Sequence, residues 1–98
     1  MIRHIVLLQF HANTSSVEQA NCMTGFAELP NLIGGITHFE HGVNTSPEGL
    51  AKGYTHVAIV TFSDAAARDV YLKHPAHLAF VARLKPQLAD VLVFDIEI

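Results

Sequence analysis

Ninety-eight residues, half of them hydrophobic, with a net charge of −3 and only six Lys plus Arg, describe one small domain without a basic surface. So few and scattered cations argue against nucleic acid and anionic membrane as partners, and no apolar run reaches the ~20 residues of a membrane helix. The single cysteine, Cys22, excludes an internal disulfide and, with no leader-like stretch before the first strand pattern, points to a reducing, cytoplasmic setting.

Ile2 to Phe10 is a nearly unbroken run of β-formers, apolar on both parities, with His4 the polar member among Ile2, Val6, Leu8 and Phe10. A strand apolar on both faces is unusual in an antiparallel sheet with one wet side. Ser15-Ser-Val-Glu18 has the spacing of a capping box, and predicts a helix to about Leu29 or Pro30 whose inner stripe is Val17, Ala20, Met23, Phe26 and Ala27. After Gly34-Gly35, a second strand is expected over Ile36–Val43 and a polar Gly/Pro-rich loop over 44–53. The third strand, Tyr54–Phe62, carries His56 on the parity of Ala58, Val60 and Phe62, with Val57 and Ile59 on the other. Ser63 or Asp64 caps a helix over Ala65 to about Lys73, and Val91–Ile98 forms the last strand, with Asp95 on the Val91/Val93 face.

The order β-α-β-β-α-β is that of a ferredoxin-like α+β domain spanning residues 1–98, its four antiparallel strands covered by helices on one face. Nothing is left to cover the other face. Ile5, Leu7, Val57, Ile59, Leu92 and Phe94 make an apolar patch too large for a monomer, so a second copy stacking sheet against sheet is expected.

Tyr71-Leu-Lys-His-Pro-Ala-His-Leu-Ala-Phe80 is the segment with chemistry in it. Proline lacks an amide proton and clashes with the preceding turn, so one helix closes near His74 and another opens with Pro75 at its first position. His77, Phe80, Val81, Leu84 and Leu88 then share a face. An imidazole on an apolar wall near a helix start is expected to stay neutral, because the helix dipole disfavours its cation. The other histidines give no metal signature: His38 and His41 point to opposite faces of a strand, and the spacing of zinc motifs is absent. No metal or cofactor is expected.

The segments Met1–Phe10, Gly53–Phe62, Tyr71–His77 and Val91–Asp95 together resemble the stress-responsive dimeric α+β barrel (Dabb) family, which includes a plant polyketide cyclase that makes olivetolic acid. The resemblance implies a homodimer and, by position, a catalytic pair of Tyr71 and His77. The histidine takes a proton beside a carbonyl while the tyrosine polarises the oxygen. It implies His4, His56 and Asp95 as supporting polar lining, and Val6, Leu8, Ala58, Phe80 and Val93 as apolar wall. Phe26 stands where the cyclase has tyrosine, and Cys22 and Met23 replace two phenylalanines, so the substrate-shaping wall differs. The expectation is a homodimer with a small apolar pocket for an organic ligand. The alternatives are a cofactor-free acid/base enzyme, or a cofactor-free monooxygenase of the same architecture.

Overall fold

Strand β1, Ile2–Phe10, is an inner strand hydrogen-bonded to a neighbour along each edge, with its even positions buried. The computed structural model describes residues 1–98 and continues with α1 (Ser16–Leu32), β2 (Ile36–Val43), β3 (His56–Phe62), α2 (Ala65–Lys73), α3 (Pro75–Leu84) and β4 (Leu88–Glu97), a single 3₁₀ turn at Lys85–Gln87 leading into β4. The strands run in the order β2-β3-β1-β4, every pair antiparallel. Four antiparallel strands with three helices form the ferredoxin-like α+β fold.

Register places the side chains. β1 meets β3 from Ile2 opposite Phe62 to Leu8 opposite His56, and meets β4 with His4 opposite Asp95 and Val6 opposite Val93. The even positions of β1 are thus buried beneath the helices, where Leu8, Val60, Phe62 and Tyr71 make the centre of the core. Each such side chain contributes about 1.5–3 kcal/mol by leaving water.

The helix starts follow the expected caps. Ser15 Oγ accepts the Glu18 amide at 3.1 Å and Asp64 Oδ1 accepts the Ala67 amide at 2.8 Å, each worth about 1 kcal/mol. The α1 stripe differs from expectation: Met23, Phe26 and Leu29 are buried, whereas Val17 is 68% exposed and Ala20 faces solvent. At roughly 100° per residue, Val17 lies half a turn round the helix from Phe26. The helix also continues past Pro30 to Leu32. A proline in the last turn removes one amide bond, and burial of Leu29 and Ile33 carries the chain beyond it. β3 begins at His56 rather than Tyr54, and β4 at Leu88 rather than Val91. The turn at Lys85–Gln87 ends the helix early, and Leu88 pairs with Phe10 across a bulge.

The odd positions of β1 face away from the helices. Ile5, Leu7, Val57 and Ile59 are half-buried there, while on edge strand β4 Leu92, Phe94 and Ile96 are exposed, Phe94 by 62%.

Candidate functional site

Helices α2 and α3 are joined by one residue, His74, whose backbone is extended (φ −67°, ψ 137°). Its amide donates to the Tyr71 carbonyl at 3.1 Å, closing α2, and its Nδ1 accepts the Ala76 amide at 3.0 Å, opening α3. Pro75 takes the first position of α3, where its missing N–H costs nothing. This junction brings Tyr71, in the last turn of α2, against His77, in the first turn of α3, with ring centroids 4.3 Å apart and planes inclined by 43°.

Between these helices and the β1–β4 side of the sheet lies a cavity of about 360 Å³. Its apolar wall comes from Val6, Val91 and Val93 on the strands, Phe26 on α1, and Phe80, Val81 and Leu84 on α3. Phe26 and Phe80 pack at 4.9 Å between centroids and close one side. The polar residues of the lining are His4, Tyr71, His77 and Lys85. A mainly apolar cavity with a few convergent polar groups is the usual form of a small-molecule site.

Tyr71 has no exposed surface, and its hydroxyl is buried without any hydrogen-bond partner. Burial raises its pKa above the ordinary phenol range, so the group is a proton donor at neutral pH. His77 is half-buried, and its Nδ1 donates to the Leu72 carbonyl at 3.2 Å. Its pKa is lowered, first by burial and further by His4, against the opposing pull of the Leu72 bond. The direction matches the expectation; the leading cause is desolvation rather than the helix dipole. A neutral imidazole with a free Nε2 beside an unpartnered phenol can take a proton from carbon and donate to a carbonyl oxygen.

His4 is almost wholly buried, and its Nδ1 lies 2.7 Å from Asp95 Oδ1. Arg68, from α2, donates through Nη1 to the other oxygen of Asp95 at 2.9 Å, and through Nε to Asp69 at 3.0 Å. Burial alone would raise the Asp95 pKa, but bonds from His4 and Arg68 outweigh it and hold the carboxyl below the usual range.

The structure therefore gathers His4, Val6, Phe26, Tyr71, His77, Phe80 and Val93 at one cavity, with Asp95 behind His4. It does not bring His56 there. His56 sits opposite Leu8, far along β1 from His4, with Nδ1 on Thr55 Oγ1 at 2.7 Å and its ring edge-on to Phe10. Leu8 and Ala58 have no exposed surface and belong to the packed core. Met23 lines a separate groove with His41 and His56, and Cys22 a shallow cleft on the far side of Phe80. Sequence reasoning missed Arg68, which reads as an ordinary helix-surface charge, and His74, whose place before Pro75 was a signal for a cap. No three His, Cys, Asp or Glu side chains converge as a metal site.

Fold and cavity define a small ferredoxin-like domain with a mainly apolar cavity lined by Tyr71 and two histidines. Residues 2–98 match the family described as Stress responsive A/B Barrel Domain (Dabb), and the chain belongs to it. It is 35% identical over 94 residues to the stress-response A/B barrel domain-containing protein HS1 of Arabidopsis thaliana, covering 96% of this chain and 86% of that one. It is 24% identical over 94 residues to olivetolic acid cyclase of Cannabis sativa, covering 96% and 93%. A crystal structure of a dimeric ferredoxin-like protein from Jannaschia sp. superposes with a TM-score of 0.86 at 28% identity, over 99% of this chain and 98% of that one.

Proposed function

We propose that the protein is a homodimer, joined through the open sheet face, in which the cavity of each protomer binds a small apolar carbonyl compound. The orphaned Tyr71 hydroxyl carries the binding reading. A buried donor without a partner costs about 1–3 kcal/mol, and a ligand oxygen that reaches it from the adjoining cavity relieves that cost. The dimer is supported by the exposed Leu92, Phe94 and Ile96 beside Ile5, Leu7, Val57 and Ile59, and by the dimeric description of the Jannaschia relative. Val57→Glu places a charge on that face and is expected to dissociate or unfold the protein. A stable wild-type monomer by light scattering at micromolar concentration would sink the dimer.

The free Nε2 of His77 supports a second reading, cofactor-free proton abstraction. With a ketone oxygen on the Tyr71 hydroxyl, Nε2 takes the α-proton while the C–H electron pair moves into an enolate stabilised by that hydroxyl. Acetophenone in D₂O tests both readings. Saturable binding by NMR supports the pocket, and exchange of the methyl protons that disappears in His77→Ala supports the chemistry. Binding without exchange above buffer leaves a binding protein only, and no binding removes the pocket.

A further inference from the structure

The cavity contains more hydrogen-bonding information than one donor and one base, and this inference rests on the cavity being the ligand site. Two histidines line it, and each commits the same nitrogen to a group that can only accept. His77 Nδ1 meets the Leu72 carbonyl. His4 Nδ1 meets Asp95, whose carboxylate is held ionised by Arg68 on its other oxygen. A carbonyl and a carboxylate cannot donate, so both Nδ1 atoms carry the hydrogen, and at a pH where each ring is neutral its Nε2 presents a lone pair. Neither Nε2 has a partner within the chain, and both residues line the cavity together with Tyr71, whose hydroxyl is buried and unpartnered. The Tyr71 hydroxyl is then the sole donor among the three.

We infer that this arrangement of one donor and two acceptors selects a ligand bringing a carbonyl-type acceptor together with a hydroxyl donor, a hydroxy-substituted ketone rather than a plain one. Arg68 is a positioning residue for that selection. It sits outside the cavity and acts through Asp95, leaving Oδ1 free to hold His4 in the tautomer that points a lone pair inward. Without the guanidinium, the carboxylate is free to turn or take up a proton, and a protonated carboxyl donates as well as accepts. The His4 ring then samples both tautomers, and one acceptor becomes a donor.

Three aryl ketones of similar size separate the possibilities: acetophenone, 3-hydroxyacetophenone and 3-methoxyacetophenone. Titration of the ¹⁵N-labelled protein is expected to show the hydroxy compound binding about tenfold tighter than the methoxy one, the worth of one hydrogen bond. Long-range ¹H–¹⁵N spectra of the unliganded protein are expected to show His4 and His77 with unprotonated Nε2 at pH 8. In Arg68→Met the hydroxy-to-methoxy ratio is expected to fall below about threefold and His4 to show mixed tautomers, with Arg68→Lys restoring most of both. Equal affinity for the hydroxy and methoxy compounds, or a protonated Nε2 on either ring, overturns the inference while acetophenone binding keeps the pocket. If none of the three compounds binds, the pocket reading falls and takes this one with it. The wild-type tautomers decide the matter even if Arg68→Met fails to fold.

Discussion

His4 and His56 have the same parity on adjacent strands and sit under the same layer of helices, yet they live in different surroundings. His4 faces Asp95 across the β1–β4 ladder and opens onto the cavity with Tyr71 and His77. His56 stands four positions further along β1, roughly 13 Å away by strand rise, against Phe10, Thr55 and the His41 side of the sheet. Parity decides which face a strand residue joins. Register decides what it meets there, and only the first of these is written locally in the sequence.

Substitutions at the two ends should separate them. The largest effect is expected from Asp95→Ala, which leaves buried His4 without its acceptor and frees one side of Arg68. A loss of about 2 kcal/mol in urea denaturation is anticipated, against under about 0.5 kcal/mol for Thr55→Val beside His56. Equal losses would erase the distinction. Next comes His77→Ala, which should weaken aryl ketone binding at least about tenfold by removing a cavity wall and its acceptor, whereas His56→Ala should leave the affinity alone. A matching loss in His56→Ala would mean the ligand lies in the His41–His56 groove instead.

Acid sharpens the comparison further. His77 and His56 both have lowered pKa values, each chiefly through burial, with a contribution from His4 in one case and His41 in the other. The unfolded chain therefore takes up these protons at a higher pH than the folded one. Stability from each group is complete above the ordinary histidine pKa of about 6.5 and is lost as pH falls from there toward the folded value. Melting curves between pH 7.5 and pH 5 should flatten in both His77→Gln and His56→Gln. Ligand affinity in the wild type should hold below pH 6.5 and then fall as His77 takes up its proton. The smallest shift is expected from Tyr71→Phe, which deletes an unpartnered hydroxyl and should leave the melting temperature unchanged or slightly higher, at the expense of ketone affinity. Tyr54→Phe, which deletes a hydroxyl bonded to Asp90, should move the melting temperature the other way.

The strands, the capped helix starts, the break at Pro75 and the uncovered apolar face were legible because each rests on a short stretch of chain. The Tyr71–His77 pair came from the family resemblance, because two residues six apart across a helix break meet only if the kink at Pro75 turns one helix onto the other. Asp95 was expected beside His4 and His56 as polar lining, but seeing that it serves His4 needed the ladder that puts residue 4 opposite residue 95. Arg68 carried no signal, since a helix arginine followed by aspartate reads as solvated surface until β4 lies beside it. The α1 stripe misled through Val17, an apolar residue that the helical phase turns outward, and Leu8 and Ala58 lie in the packed core outside the cavity lining.

The double role of His74 has a consequence for how such a protein diversifies. With the backbone committed on both sides of one residue, the spacing of the tyrosine and the histidine along the chain is set within residues 71–77, while Phe62 and His4 pack against the tyrosine ring from the sheet. Phe26, Val81 and Val93 lie outside that segment, so the shape of the cavity can change at those positions while the Tyr71–His77 pair stays in place. A library randomising those three wall positions, with 71–77 untouched, should therefore retain folded members far more often than one randomising 71–77 with the walls kept.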